Sequence, residues 1–116
     1  MSEFNIYKRC EDFAVTTIHL LEKIPYRRSV GIISNQMMRS ATSVGANLCE
    51  ADNSRSNKEF LSYLGICLRE IKETIYWFKL LKRTNAEHLE SIEVLENEAQ
   101  EIKKILGKIY TKVSSK

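Results

Sequence analysis

Apolar side chains recur along most of this chain in steps of three and four residues, which is the spacing of one face of an α-helix. Four such segments predict helices over about residues 5–24, 33–52, 57–83 and 86–113. The connections between them are short, and short connections make sequential helices antiparallel neighbours. The pattern therefore predicts an all-α fold, an antiparallel up-down-up-down four-helix bundle that occupies residues 1–116 as a single domain.

Residues at the segment boundaries indicate where the helices begin and end. The first segment stops at Pro25, and Ser34 and Asn85 are placed to cap the second and fourth helices. Before the third helix, residues 56–59 have the spacing of a capping box, in which a Ser and a Glu side chain reciprocally bond free backbone amides.

The third predicted helix has more apolar surface than one bundle requires. Beside its core stripe runs a second stripe of aromatic, apolar and polar positions, namely Tyr63, Glu70, Thr74, Trp77 and Leu81. Because a helix that is apolar on several sides is buried on several sides, this stripe predicts an interface with a second copy of the chain. The alternative is a monomer with an unusually apolar surface.

The second predicted helix combines small residues with a polar line opposite its core stripe. That line consists of Arg39, Ser43, Ala46 and Glu50, with Asn47 adjoining. Small residues such as Gly45 allow another backbone to approach closely. The simpler interpretation is a tight helix–helix contact with a solvated charged face, and the sequence leaves open whether that face meets solvent or another chain.

Composition agrees with a helical protein and limits the compartment. The 116 residues include one Pro and four Gly, and 43% are hydrophobic. The three cysteines are widely spaced, which is typical of buried thiols in a reducing compartment. No segment has the pattern of a signal peptide or a membrane span, so we expect a cytoplasmic protein that does not contact a membrane.

The residue types that carry catalysis or hold cofactors are sparse in this sequence. It contains two histidines and no Glu-x-x-His, Walker loop or dinucleotide-binding fingerprint. No serine has the His and Asp context of a nucleophile. We therefore expect a non-enzymatic protein with no catalytic residue, no cofactor and no metal site.

One end of the predicted bundle collects basic residues. This basic edge consists of Lys23, Arg27, Arg28, Lys79, Lys82 and Arg83. The net charge of +3 permits nucleic-acid binding without requiring it, and affinity for phosphates grows with the number of charges neutralised. The edge therefore predicts a nucleic-acid-binding surface. The alternative is a set of solvated helix-end charges, since Glu87 and Glu90 lie nearby in the sequence.

Three segments of the sequence resemble a bacterial family of four-helix-bundle proteins, the 23S rRNA intervening-sequence proteins. The second-helix signature is matched by R-S-A-T-S-V-G-A-N-L-C-E-A at residues 39–51, and the start of the third helix by S-N-K-E-F-L at residues 56–61. A further match is E-I-K-E-T-I-Y-W-F-K-L-L at residues 70–81. The resemblance covers roughly residues 5–112, and Gly45 and Ala51 place the chain in the branch that lacks Pro and Gly at these positions.

The resemblance implies a four-helix bundle that commonly assembles into a ring-shaped homopentamer. Relatives are encoded in insertions within large-subunit ribosomal RNA genes, and a more basic branch serves reverse transcriptases of retroelements as a nucleic-acid-associated accessory protein. The resemblance implies no catalytic residue. It marks Arg39, Asn47 and Glu50 as family signature positions with a structural or interfacial role.

Together, these features predict a non-enzymatic homo-oligomer that associates with nucleic acid or a ribonucleoprotein. The expected partners are other copies of the chain and either RNA or a nucleic-acid-binding protein. The competing hypothesis is a protein–protein interaction scaffold that binds no nucleic acid.

Overall fold

In a computed structural model that describes residues 5–116, the chain folds into four helices joined by short loops. Their bounds are α1 Ile6–Lys23, α2 Arg28–Asp52, α3 Asn57–Thr84 and α4 Leu89–Ser114. Each helix packs against the next along the chain, and α1 also packs against α4. The α2–α3 interface is the largest of the four and the α1–α4 interface is the smallest. The prediction of an all-α antiparallel four-helix bundle is confirmed.

The core is continuous because each helix turns one apolar stripe inward. On α2, the stripe consists of Val30, Ile33, Met37, Ala41, Val44, Leu48 and Ala51, all of them buried. Phe13 of α1 reaches Phe78 of α3 between the helices, with ring centroids 6.2 Å apart. The bundle built on this core measures 46 × 25 × 19 Å along its principal axes.

The second helix begins five residues earlier than the sequence pattern predicts. Its first residue is Arg28, and Ser34 lies inside the helix and does not cap it. The reason is that Val30 and Ile33 extend the buried stripe by one further turn towards Pro25. Packing of these two side chains stabilises a helical turn that has no side-chain cap hydrogen bond at its N-terminus.

The cap of α3 is confirmed, with one difference in detail. Ser56 Oγ accepts a hydrogen bond from the Glu59 amide at 3.1 Å. The Glu59 carboxylate accepts from the backbone N–H of Arg55 at 3.1 Å, one residue before the position that a standard capping box uses.

The start of α4 differs from the prediction, because Asn85 does not cap this helix. The helix begins at Leu89, after His88 in a left-handed conformation with φ 59°. Asn85 is buried in the α3–α4 loop, where its Oδ1 accepts from Arg27 Nη2 at 2.7 Å and from the Glu87 amide at 3.3 Å. Its side chain therefore joins this loop to the start of α2.

Candidate nucleic-acid interface

Half of the predicted basic edge is occupied by ion pairs within the chain. Lys79 and Lys82 share the carboxylate of Glu96 on α4, at 3.3 Å and 2.9 Å. Burial raises the pKa of Glu96, but the hydrogen bonds from Lys82 and Lys79 outweigh it, so that its pKa is below the usual value. Arg27 pairs with Glu87 at 3.5 Å in addition to its bond to Asn85. These bases stabilise contacts between elements of the bundle.

The other half of the basic edge remains exposed. Lys23, Arg28 and Arg83 make no ion pair with any residue in the described part of the chain. Lys23 lines a cavity of about 320 Å³ between α1 and α4, together with Glu90, which lowers the positive potential around this lysine. Of the edge, Arg28 and Arg83 are therefore the better placed to bind an external anion.

The structure brings out a longer basic surface along the outer face of α3. Eight positions separated by steps of four and three residues line this face from end to end, and we call them the basic row: Lys58, Ser62, Gly65, Arg69, Lys72, Tyr76, Lys79 and Arg83. Seven are exposed and Gly65 is half-buried. No acidic residue belongs to the row. This surface is absent from the sequence-based predictions, which group the bases by bundle end, although its four–three spacing is visible in the sequence.

Two of the three acids of α3 are held away from the basic row by α2, whereas Glu59 accepts from the Arg55 amide at the start of the helix. Glu70 and Glu73 lie one position further around the helix, on the side that faces α2. Arg39 of α2 pairs with Glu70 at 3.4 Å and also with Glu73. Trp77 Nε1 donates to Glu73 Oε1 at 3.3 Å. The family signature residue Arg39 thereby offsets one of the two negative charges and holds both carboxylates on the α2 side of the row.

Most bases of the row have no ion-pair partner. Lys58, Arg69, Lys72 and Arg83 are unpaired within residues 5–116, whereas Lys79 shares Glu96 with Lys82. The one aromatic member, Tyr76, is 52% exposed. Its ring packs edge-on against Trp77 at a centroid distance of 5.2 Å. The row therefore presents charge and one partly fixed aromatic side chain.

The predicted oligomer stripe divides between the surface and the core. Thr74 and Leu81 are both 0% exposed, so these two residues cannot contact a second copy. Thr74 is buried because α2, with small residues such as Ser40, packs closely there. Thr74 Oγ1 donates to the Glu70 carbonyl at 2.8 Å and lies 2.7 Å from Ser40 Oγ.

The remaining part of that stripe lies on a half-buried face of α3 beside α2. We call this face the α2-side row, and it consists of Tyr63, Ile66, Glu70, Glu73, Trp77 and Leu80. Tyr63, Glu70 and Trp77 were predicted from the sequence, and the other three share their position around the helix. The basic row and the α2-side row are adjacent, separate faces of one helix.

The two other signature positions make no side-chain hydrogen bond or ion pair to another helix within residues 5–116. Asn47 is half-buried, and its Nδ2 donates to the Ser43 carbonyl within α2 at 2.9 Å. Glu50 is exposed and makes no ion pair with the residues that the structure describes. Of the polar line on α2, Arg39 is the residue that connects to α3.

The cysteines do not form a metal or disulfide site. Cys10 and Cys67 are buried, and burial raises the pKa of each thiol to about 12, whereas Cys49 is exposed. Within residues 5–116, no three His, Cys, Asp or Glu side chains are grouped so that they could hold a metal ion. Over the same range, no helix is long and apolar enough to cross a membrane.

Comparison with known proteins gives a family match and a structural match that agree with each other. The family model described as 23S rRNA-intervening sequence protein matches residues 2–108. A crystal structure of a protein of unknown function from the S23 ribosomal protein family of Bacteroides thetaiotaomicron superposes with a TM-score of 0.86 at 34% identity. The alignment covers 96% of this chain and 99% of that one. Among proteins with curated descriptions, none matches significantly. The chain therefore belongs to the 23S rRNA-intervening sequence protein family.

Proposed function

We propose that this protein is a non-enzymatic, homo-oligomeric bundle of the cytoplasm that binds nucleic acid through the basic row of α3. The observation that supports this proposal is the row itself, which carries five bases and no acid along the full length of α3. The name of its family connects its relatives with ribosomal RNA genes. Lys79 and Arg83 belong to both the row and the basic edge, so the two surfaces share residues.

The expected strength of this interaction follows from counterion release. Each phosphate neutralised on duplex DNA contributes about −0.9 to the slope of log K against log salt concentration. Five bases therefore give a slope of about −4.5, and affinity falls about 500-fold between 50 and 200 mM salt. Such a dependence is far steeper than a net charge of +3 spread evenly over the surface would produce.

A pair of matched charge reversals tests the nucleic-acid proposal. We expect Arg69→Glu/Lys72→Glu to lower the magnitude of the salt slope by about 2 in anisotropy titrations with labelled structured RNA and duplex DNA. Lys108→Glu/Lys112→Glu on α4 changes the net charge equally at exposed positions outside the row, and should leave the slope unchanged. Equal losses in both variants would contradict a role for the row. If the wild-type protein binds neither the RNA nor the DNA, a protein–protein scaffold is favoured instead.

Self-association is proposed through the α2-side row. The support is its half-buried mixture of aromatic, apolar and ion-paired side chains, since aromatic residues are enriched at interface cores. Light scattering should give a mass that is a multiple of the 13.5 kDa chain, and Trp77→Ala should lower it. A wild-type mass of one chain would contradict this part of the proposal. The basic row is left free to bind nucleic acid because it occupies a different face of α3.

A further inference from the structure

The bases of the basic row are not evenly spaced along α3. They form three groups: Lys58 alone, then Arg69 with Lys72, and finally Lys79 with Arg83. At about 1.5 Å per residue, the middle group is centred about 19 Å from Lys58, and the last group about 16 Å further. The first and last groups are therefore about 35 Å apart on one continuous helix.

This distance matches the repeat of a B-form duplex, in which one helical turn spans about 34–36 Å. A straight line drawn along the surface of a duplex meets the same strand once per turn and meets the opposite strand in between. A helix that lies along the duplex can therefore place its first and last basic groups on one strand, one turn apart. Its middle group then meets the phosphates of the other strand.

We infer that the basic row binds the phosphates of about one turn of a B-form DNA duplex, with α3 lying along the duplex axis. This inference rests on the proposed function and specifies its ligand. The residues between the first two groups are Ser62 and Gly65, and a Cβ atom added at Gly65 would have no neighbour within 4 Å. No long side chain there holds the helix away from the duplex.

A single strand fits this surface less well. Proteins that bind single strands without sequence preference combine a basic groove with several aromatic side chains on which successive bases stack. The row offers one such side chain, Tyr76, on the outer face of a single helix. A duplex of RNA has the same phosphate chemistry but A-form grooves of different depth and width, so its strands are presented to a straight helix with a different spacing.

The ion pair between Lys79 and Glu96 does not prevent Lys79 from binding a phosphate. Glu96 is also bonded by Lys82 at 2.9 Å, on the side of α3 that faces α4. When Lys79 turns towards a phosphate, Glu96 therefore keeps one cationic partner and no buried carboxylate is left unpaired. All three groups of the row can then bind phosphate without disturbing the α3–α4 interface.

Duplex length tests the inference. Anisotropy titrations over several salt concentrations would use labelled DNA hairpins with stems of about 6 and about 12 base pairs, since one turn is about 10–10.5 base pairs. A 12-nucleotide single strand and an RNA hairpin with a 12-base-pair stem complete the set of probes. Because a half-turn reaches only two groups, we expect Lys58→Gln to lower the slope by about 0.9 on the long DNA stem and to leave the short stem unchanged.

Arg69→Gln is the matched comparison, because the middle group is used by either stem. We expect it to lower the slope by about 0.9 on both. Equal effects of Lys58→Gln on the two DNA stems would overturn the inference, as would binding of the single strand or the RNA stem at least as tightly as the long DNA stem. Either result would leave the proposed function intact. If none of the four probes binds, the proposed function itself fails.

Discussion

Two adjacent leucines of α3 lie in different environments, one in the core of the bundle and the other on its candidate oligomer surface. Leu81 is 0% exposed and lies in the core, although the sequence pattern predicts it at an interface between copies. Leu80 is half-buried and belongs to the α2-side row. Truncating each to Ala makes the same chemical change at neighbouring positions. We expect the two variants to fail in different ways.

The cost of Leu81→Ala follows from its complete burial. The substitution removes three carbon atoms and leaves a cavity, and buried Leu→Ala substitutions cost about 2–5 kcal/mol. For a side chain with no exposed surface we expect about 3–4 kcal/mol. With an unfolding entropy of about 2.1 cal/mol/K per residue over 116 residues, the Tm then falls by about 12–16 °C. Leu80→Ala should cost only about 1 kcal/mol.

Thermal unfolding followed by circular dichroism and mass measured by light scattering distinguish the two effects. We expect Leu81→Ala to lower Tm while keeping the wild-type mass at 20 °C, and Leu80→Ala to lower the mass with a small change in Tm. Unfolding should be measured at two protein concentrations, because dissociation makes the Tm of an oligomer concentration-dependent. A Leu81→Ala variant that dissociates but keeps its Tm would refute the assignment of Leu81 to the core.

Three further predictions concern other parts of the bundle. Gly45→Ala should raise the free energy of unfolding, measured in urea, by about 0.5–1 kcal/mol, because Gly weakens a helix interior. The added Cβ would lie 3.6 Å from the Cys10 side chain, which is an ordinary contact distance. A loss of stability would show that the packing of α1 requires the glycine. The pKa of Glu96 is lowered by folding, so its contribution to stability is complete above its ordinary value of 4.5 and is lost as pH falls through the folded-state pKa. Glu96→Gln should therefore flatten the dependence of Tm on pH in that acidic range, and an unchanged profile would contradict it. A thiol reagent should label Cys49 rapidly and Cys10 and Cys67 slowly, because burial raises the pKa of the latter two thiols to about 12; equal labelling in the native protein would contradict their burial.

The fold of this protein could be predicted from helix periodicity, because the three-and-four spacing of apolar residues decides which side of each helix is buried. The start of α2 was missed since Val30 and Ile33 lie between basic residues and Ser34, which is a common capping residue. Asn85 was misassigned for a related reason. The sequence shows that its side chain can accept a hydrogen bond, but not that Arg27, the residue just before α2, would supply one.

The candidate site was harder to predict because it depends on the direction of each side chain around its helix. Thr74 lies at the boundary between the core stripe and the second stripe, and the closeness of α2 decides that it is buried. That Glu96 would face Lys79 and Lys82 depends on the rotation of α4 relative to α3. These are properties of packed pairs of helices, which a single-helix pattern does not contain.

The unequal helix interfaces have a consequence for how the chain folds as it is synthesised. α1 leaves the ribosome before the other three helices, yet its interfaces with α2 and α4 are the two smallest of the four main interfaces. The largest interface joins α2 and α3, which are adjacent in the chain and form their contacts over a short loop. We therefore expect the α2–α3 hairpin to form first on the nascent chain, before α1 packs against any other helix. The amino-terminal helix is then added to a preformed hairpin, so α1 is synthesised before α2 and α3 but packs after them.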